Sequence, residues 1–169
     1  MMQQVLAQKQ ASLVVASRGA FPVLVVTTSG PPTDAGMKAT NDWIARQLEV
    51  ARWQDEKVAV VLDVSGRRGR PTPAQRSAIG DWMTEHEKLI ANTCVAWSMV
   101  LTSPVLRGVL TAITWFHAFP CPMKIQPNVP AALRWSLPHL ASTGFIPRSD
   151  EVERMLTGLQ TRGSVVFNR

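Results

Sequence analysis

Four arginines and no acidic residue fall within the stretch VSGRRGRPTPAQR, Val64 to Arg76. Arg67, Arg68, Arg70 and Arg76 supply most of the chain's formal net charge of +6. A guanidinium presents a planar fork of donors that matches a carboxylate or a phosphate, so the chemistry on offer is recognition of an anion. Two hydroxyls, Ser65 and Thr72, stand in the same stretch. Neither has a histidine nearby in sequence to serve as its base, so no nucleophile–base pair can be named. Gly66 and Gly69 do not meet phosphate-loop spacing, and no Gly-Lys-Ser/Thr follows them. Asp63 is expected to tie down the turn that follows it by accepting backbone N–H bonds, not to hold a metal.

The remaining reactive side chains are scattered. His86, His117 and His139 fall on different expected helices, and none has a second ligand at metal-binding spacing. His86 lies on an apolar stripe and reads as a satisfied core histidine. No metal or cofactor is expected. Cys94 and Cys121 sit in apolar surroundings near the starts of neighbouring strands and read as buried free thiols, with a bond between them the lesser reading. Six tryptophans and no tyrosine are present. Most of the tryptophans read as core, and Trp115 and Phe116 with Phe119 make the best candidate for an apolar contact patch or pocket. Nucleic acid is disfavoured as a partner because the arginine loop carries no interleaved aromatics.

The elements that must hold the arginine loop can be read from the pattern. At 169 residues and 46% hydrophobic, the chain is long enough to bury one core without staples, which excludes disorder as its main state. Ser12–Ala16 and Pro22–Thr28 read as a hairpin about the turn Ser-Arg-Gly-Ala. An amphipathic helix follows across Asp34–Trp53, with Met37, Ile44, Leu48 and Ala51 on its stripe. Lys57–Val64 is an apolar run suited to a strand covered on both faces. Thr72-Pro73-Ala74-Gln75 carries a capping residue, a proline at the first helical position and a capping-box glutamine. One helix is expected from there through Ile79, Trp82, Met83, His86, Leu89 and Ile90. Thr93–Leu101 reads as a strand, and Val105–Phe119 as a helix apolar on nearly all sides. Met123–Gln126 reads as a short strand, and a helix capped by Asn128 is expected to end near Pro138. Asp150 opens a short helix over Glu151–Gln160, and the tail GSVVFNR is expected to be loose. Alternation of strand and helix after the hairpin implies an α/β fold with a mixed, mostly parallel sheet of about five strands flanked by helices.

That order, with Asp63-Val64-Ser65-Gly66 at the third strand and Thr72 opening the next helix, resembles the STAS family. These are anti-sigma-factor antagonist (SpoIIAA-like) domains, whose fold overlaps that of CRAL-TRIO-like lipid-binding domains. Further likeness lies in Val95–Leu101 ending at Thr102-Ser103, in Arg107, and in the closing Pro130-Ala131-Ala132-Leu133-Arg134-Trp135. The resemblance covers about residues 12–141 by the order of elements. It sets a STAS-like domain at 12–146 between an N-terminal extension of residues 1–11 and a C-terminal helix and tail, 147–169. It implies a bacterial, cytoplasmic regulatory or scaffolding module that is not an enzyme and works by protein–protein contact. Switching members carry an acidic-serine-serine-glycine turn at this helix, where a kinase acts. Here the turn reads Arg-Pro-Thr-Pro, so Thr72 is the one candidate phosphorylation site at the matching place. The partner- or anion-binding residues are then Ser65, Arg67, Arg68, Arg70, Thr72 and Arg76, facing an acidic protein surface. The alternative is a carrier or sensor of a small hydrophobic or anionic ligand, lined by the apolar helix. That helix and the C-terminal segment also favour self-association. No signal peptide or transmembrane segment is read in the sequence.

Overall fold

The computed structural model describes residues 13–104, 119–144 and 165–167, with side chains described for 21–104 and 119–144. The expectations placed on Arg107, Trp115, Phe116, His117 and the segment 147–160 lie outside the described residues. The described elements run β1 (Leu13–Ala20), β2 (Val23–Gly30), α1 (Asp34–Trp53), β3 (Val58–Arg67), α2 (Pro73–Glu85), α3 (Glu87–Thr93), β4 (Cys94–Val100), β5 (Met123–Gln126), α4 (Val129–Ala141) and β6 (Val165–Phe167).

One sheet takes all six strands in the order β5-β4-β3-β2-β1-β6. β2 through β5 run parallel, while β1 is antiparallel to both β2 and β6. Each connection from β1 to β5 therefore steps across the sheet in the same direction. Right-handed crossovers taken in one direction place their helices on one face. The core bears this out. Leu24, Val26, Val58, Val60 and Trp97 meet Ile44, Leu48 and Ala51 of α1 and Leu89 and Ile90 of α3. The alternate residues Val23, Val25, Ala59, Val61, Ala96 and Val100 face Ala132, Leu133 and Leu140 of α4 on the other side. This period-two division explains why β2 and β3 read as unbroken apolar runs.

Five boundaries differ from the sequence reading. Ser17–Ala20 is not a turn: β1 runs on to Ala20, and the hairpin turns at Phe21–Pro22, joined by a cis peptide bond. β3 continues past Val64 through Arg67, because Gly66 and Arg67 pair with Ser29 and Gly30. The helix expected from Thr72 through Ile90 breaks at His86 into α2 and α3. α3 turns inward there and buries Leu89 and Ile90, whereas α2 buries no residue at all. α4 does not stop at Pro138. The proline removes one helical donor in the last turn, but Leu140 beyond it is fully buried. Ser142 N–H bonds the Pro138 carbonyl at 3.2 Å and Thr143 N–H that of Leu140 at 2.9 Å, closing the turn. The tail is not wholly loose, since Val165–Phe167 pairs with Val14–Ala16 as a sixth strand. It occupies three positions of an edge that would otherwise offer unpaired N–H and C=O groups.

Candidate functional site

The parallel strands deliver their carboxyl ends to one edge of the sheet. β2 ends there at Gly30 and β3 at Arg67. Two helices start at the same edge, with Thr33 capping α1 and Thr72 capping α2. The Thr33 hydroxyl accepts from Gly36 N–H at 3.1 Å. Thr72 Oγ1 accepts from Gln75 N–H at 3.2 Å, and Gln75 Oε1 accepts from Thr72 N–H at 3.0 Å, so the expected capping box is complete. The same Gln75 reaches further than its capping role. Its Nε2 donates to Asp34 Oδ1 at 2.7 Å and to the Pro32 carbonyl at 3.3 Å, which ties the start of α2 to the start of α1.

Asp63 takes the structural role expected of it. Its Oδ1 accepts from Ser65 N–H at 2.9 Å and from Ser65 Oγ at 2.6 Å. Ser65 is thereby committed to the turn, although it is exposed. Gly66 follows, close against β2: a Cβ there would lie 3.0 Å from Ser29 Cβ and 3.2 Å from the Thr28 carbonyl oxygen. Gly69 has φ +87°, a conformation that side chains rarely adopt, and this turns the loop toward α2.

The arginines divide into two kinds. Arg68, Arg70 and Arg76 are exposed. Arg76 Nη1 donates to the Pro71 carbonyl at 2.8 Å and so braces the loop. Arg67 is half-buried, and its Nε donates to Thr28 Oγ1 at 2.7 Å. Thr28 is 1% exposed and turns its hydroxyl to the Asp63 carbonyl at 3.4 Å. Burial lowers the pKa of Arg67 from its ordinary value. Among the described residues the ion pairs are Lys38–Asp42 and Glu49–Arg52, both on α1, and none involves this loop. Thr28 is a site residue that the sequence reading missed. Its only signal is a polar residue where the apolar run of β2 ends.

The other candidates are placed elsewhere. Cys94 and Cys121 are free and buried in one cluster with Trp97. The Cys94 thiol donates to the Ala96 carbonyl at 3.2 Å, and the neighbouring Cys94 together with burial pushes the Cys121 thiol up. His86 is half-buried, not core; its Nδ1 lies 2.9 Å from the Trp82 carbonyl and its ring stacks on Trp82 at 4.7 Å. Phe119 is half-buried against Trp97, ring to ring at 5.3 Å. Of the described tryptophans, Trp43 and Trp97 are core, Trp82 and Trp135 are half-buried, and Trp53 is 87% exposed. Among the described residues no group of three metal-ligating side chains occurs, and no helix is long and apolar enough to cross a membrane.

A comparison with solved structures decides the fold. An uncharacterized protein of the DUF3478 family from Shewanella loihica PV-4, described as having a SpoIIAA-like fold, superposes with a TM-score of 0.56. The match covers 75% of this chain and 94% of that one, at 12% sequence identity. The chain has a SpoIIAA-like fold. No family model matches the sequence, and no curated protein matches it. The STAS-like resemblance drawn from Asp63–Gly66 and Thr72 therefore holds at the level of architecture. In this SpoIIAA-like sheet the strand order has no reversal between β1 and β5. Open sheets bind small ligands in the crevice where the order reverses. That general expectation for strand ends gives no support to a ligand crevice at the arginine loop.

Proposed function

We propose that this protein is a non-enzymatic regulatory or scaffolding module that works by protein–protein contact through residues 64–76 and α2. One observation carries the reading: α2 is a helix of 13 residues that buries none of them. A helix without a buried face gains little from its own fold, since most helical stability comes from packing. α2 is held instead by Gln75 at its start and, toward its end, by Trp82 half-buried against the core and by α3. Its Ile79, Trp82 and Met83 stay partly open to solvent. In the loop before the helix, Arg68 and Arg70 are exposed and make no ion pair among the described residues. A helix with partly open apolar side chains, preceded in the chain by a loop of unpaired cations, suits an acidic protein surface with aromatic or aliphatic anchors. Phosphorylation at Thr72, which is exposed at the N-terminus of α2, would place negative charge in the middle of this surface and weaken such a contact.

The test is a tagged full-length chain purified gently from its host beside a variant with R67E, R68E and R70E. A protein that accompanies the wild type and is lost from the variant, with both folded by circular dichroism, supports the reading. A partner retained by the variant removes its basis. A native mass spectrum of the same sample that shows a bound small molecule and no protein turns attention to the carrier alternative.

A further inference from the structure

We propose that Arg67 is the anchor of an oxyanion site at the end of β3, recognising a carboxylate or phosphate group through its guanidinium fork. The inference deepens the reading of residues 64–76 as a recognition surface and rests on that reading for the nature of the partner.

Arg67 differs from its neighbours in being held. Its Nε is fixed on Thr28, a residue almost wholly buried in the adjacent strand. The Thr28 hydroxyl proton is directed to the Asp63 carbonyl, so the oxygen presents a lone pair to Arg67. Gly66 and Arg67 are themselves strand residues paired with Ser29 and Gly30, and Arg68 N–H bonds the Gly30 carbonyl at 2.9 Å. The guanidinium is thus aimed by two paired strands and not by a free loop, which is the condition for a preorganised site.

Among the described residues no acid forms an ion pair with this guanidinium. Asp63, the nearest acid in sequence, spends Oδ1 on Ser65 and forms no ion pair with Arg67. A cation taken partly out of water loses hydration that only a counter-charge replaces. Burial lowers the Arg67 pKa from its ordinary value. A bound oxyanion would supply that charge and take two parallel N–H bonds from the Nη groups. Arg68 and Arg70, being exposed, add long-range attraction that salt screens.

The experiment follows the Arg67 Nε–H signal by NMR while inorganic phosphate is added at constant ionic strength, with chloride as the control. A saturable shift of that signal and of the Gly66 and Arg68 amides is expected with phosphate and not with chloride. R67Q should weaken binding about tenfold or more, as expected for lost charged hydrogen bonds. T28V keeps the charge and the shape of the core but frees Nε, so it should weaken binding while the rest of the spectrum stays in place. If R67Q fails to fold, T28V and R67K decide the matter. R68Q with R70Q should weaken binding only at low salt. No saturable shift, or the same binding in R67Q or T28V as in the wild type, overturns the site.

A short polyglutamate peptide distinguishes the source of the anion. Tighter binding of the peptide than of phosphate, with the same dependence on Arg67, puts the oxyanion on a protein partner. Phosphate binding with no gain from the peptide puts it on a free anion. The two proposals fail separately. Absent phosphate binding removes the site and leaves partner capture through α2 standing. Saturable phosphate binding, with a partner that survives the triple charge reversal, keeps the site and removes the surface.

Discussion

A methyl group does not fit at Gly66. Two of its three nearest neighbours would be backbone atoms of Thr28 and Ser29, which cannot swing aside. Gly66→Ala is expected to destabilise the protein by about 1–3 kcal/mol, the usual range for forced overpacking, in urea denaturation. A cost near zero would mean that β2 and β3 part easily there. Cys121 makes a prediction of the opposite kind, one that depends on pH. The neighbouring Cys94 thiol, and then burial, hold its thiol proton in the folded state. The unfolded chain gives up that proton above about pH 8.5. The contribution is therefore intact below that pH and is lost as the pH rises, by up to about 1.4 kcal/mol per pH unit. Denaturation at neutral and at alkaline pH should show this loss in the wild type and not in Cys121→Ser, and equal slopes would contradict it. At this scale the sequence was informative where a residue acts on its own chain neighbours. Asp63 on Ser65 and Thr72 with Gln75 are both of that type. Thr28 and Arg67 meet across 39 positions, and no local pattern announces such a pair.

α2 and α3 show how a single apolar stripe can serve two purposes. Ile79, Trp82, Met83, Leu89 and Ile90 follow helical spacing throughout, so the pattern alone predicts one buried helix. Leu89 and Ile90 are buried in the core, and Trp82 is half-buried against it, while Ile79 and Met83 stay outside. After the break at His86, α3 packs against α1, a partner that the stripe itself does not encode. Removal of the side chain at Trp82, on α2, should therefore cost less than removal of Ile44, fully buried on α1. Ile44→Ala is expected to lose about 2–5 kcal/mol, and Trp82→Ala clearly less, both measured by urea denaturation. Amide hydrogen exchange should likewise be faster in α2 than in α1, because local opening there exposes little apolar surface. Equal protection in the two helices would count against an unburied recognition helix. Loss of the cap by Thr72→Ala should destabilise by about 1 kcal/mol, with Thr72→Ser nearly neutral.

Over the whole molecule, the alternation of strands and helices was enough to indicate a mostly parallel α/β sheet. It was not enough to locate the last strand, because three residues in a polar tail carry too short a pattern to distinguish a strand from a loose end. Truncation before Val165 would bare the outer edge of β1. Concentration-dependent self-association of the truncated chain in sedimentation is the expected outcome, since open strand edges pair with one another. The one-way march from β1 to β5 also bears on how the chain assembles during synthesis. Each new strand of that series pairs with the one made just before it, so the sheet can grow in the order of translation, by closures of modest sequence span. β6 alone breaks the sequence: Phe167 must find Val14, with all the other described strands between them in the chain. Contacts of such separation form slowly and late. The first-made edge of the nascent sheet therefore stays open until Val165–Phe167 emerge from the ribosome, a window in which a chaperone or a second nascent chain can reach it.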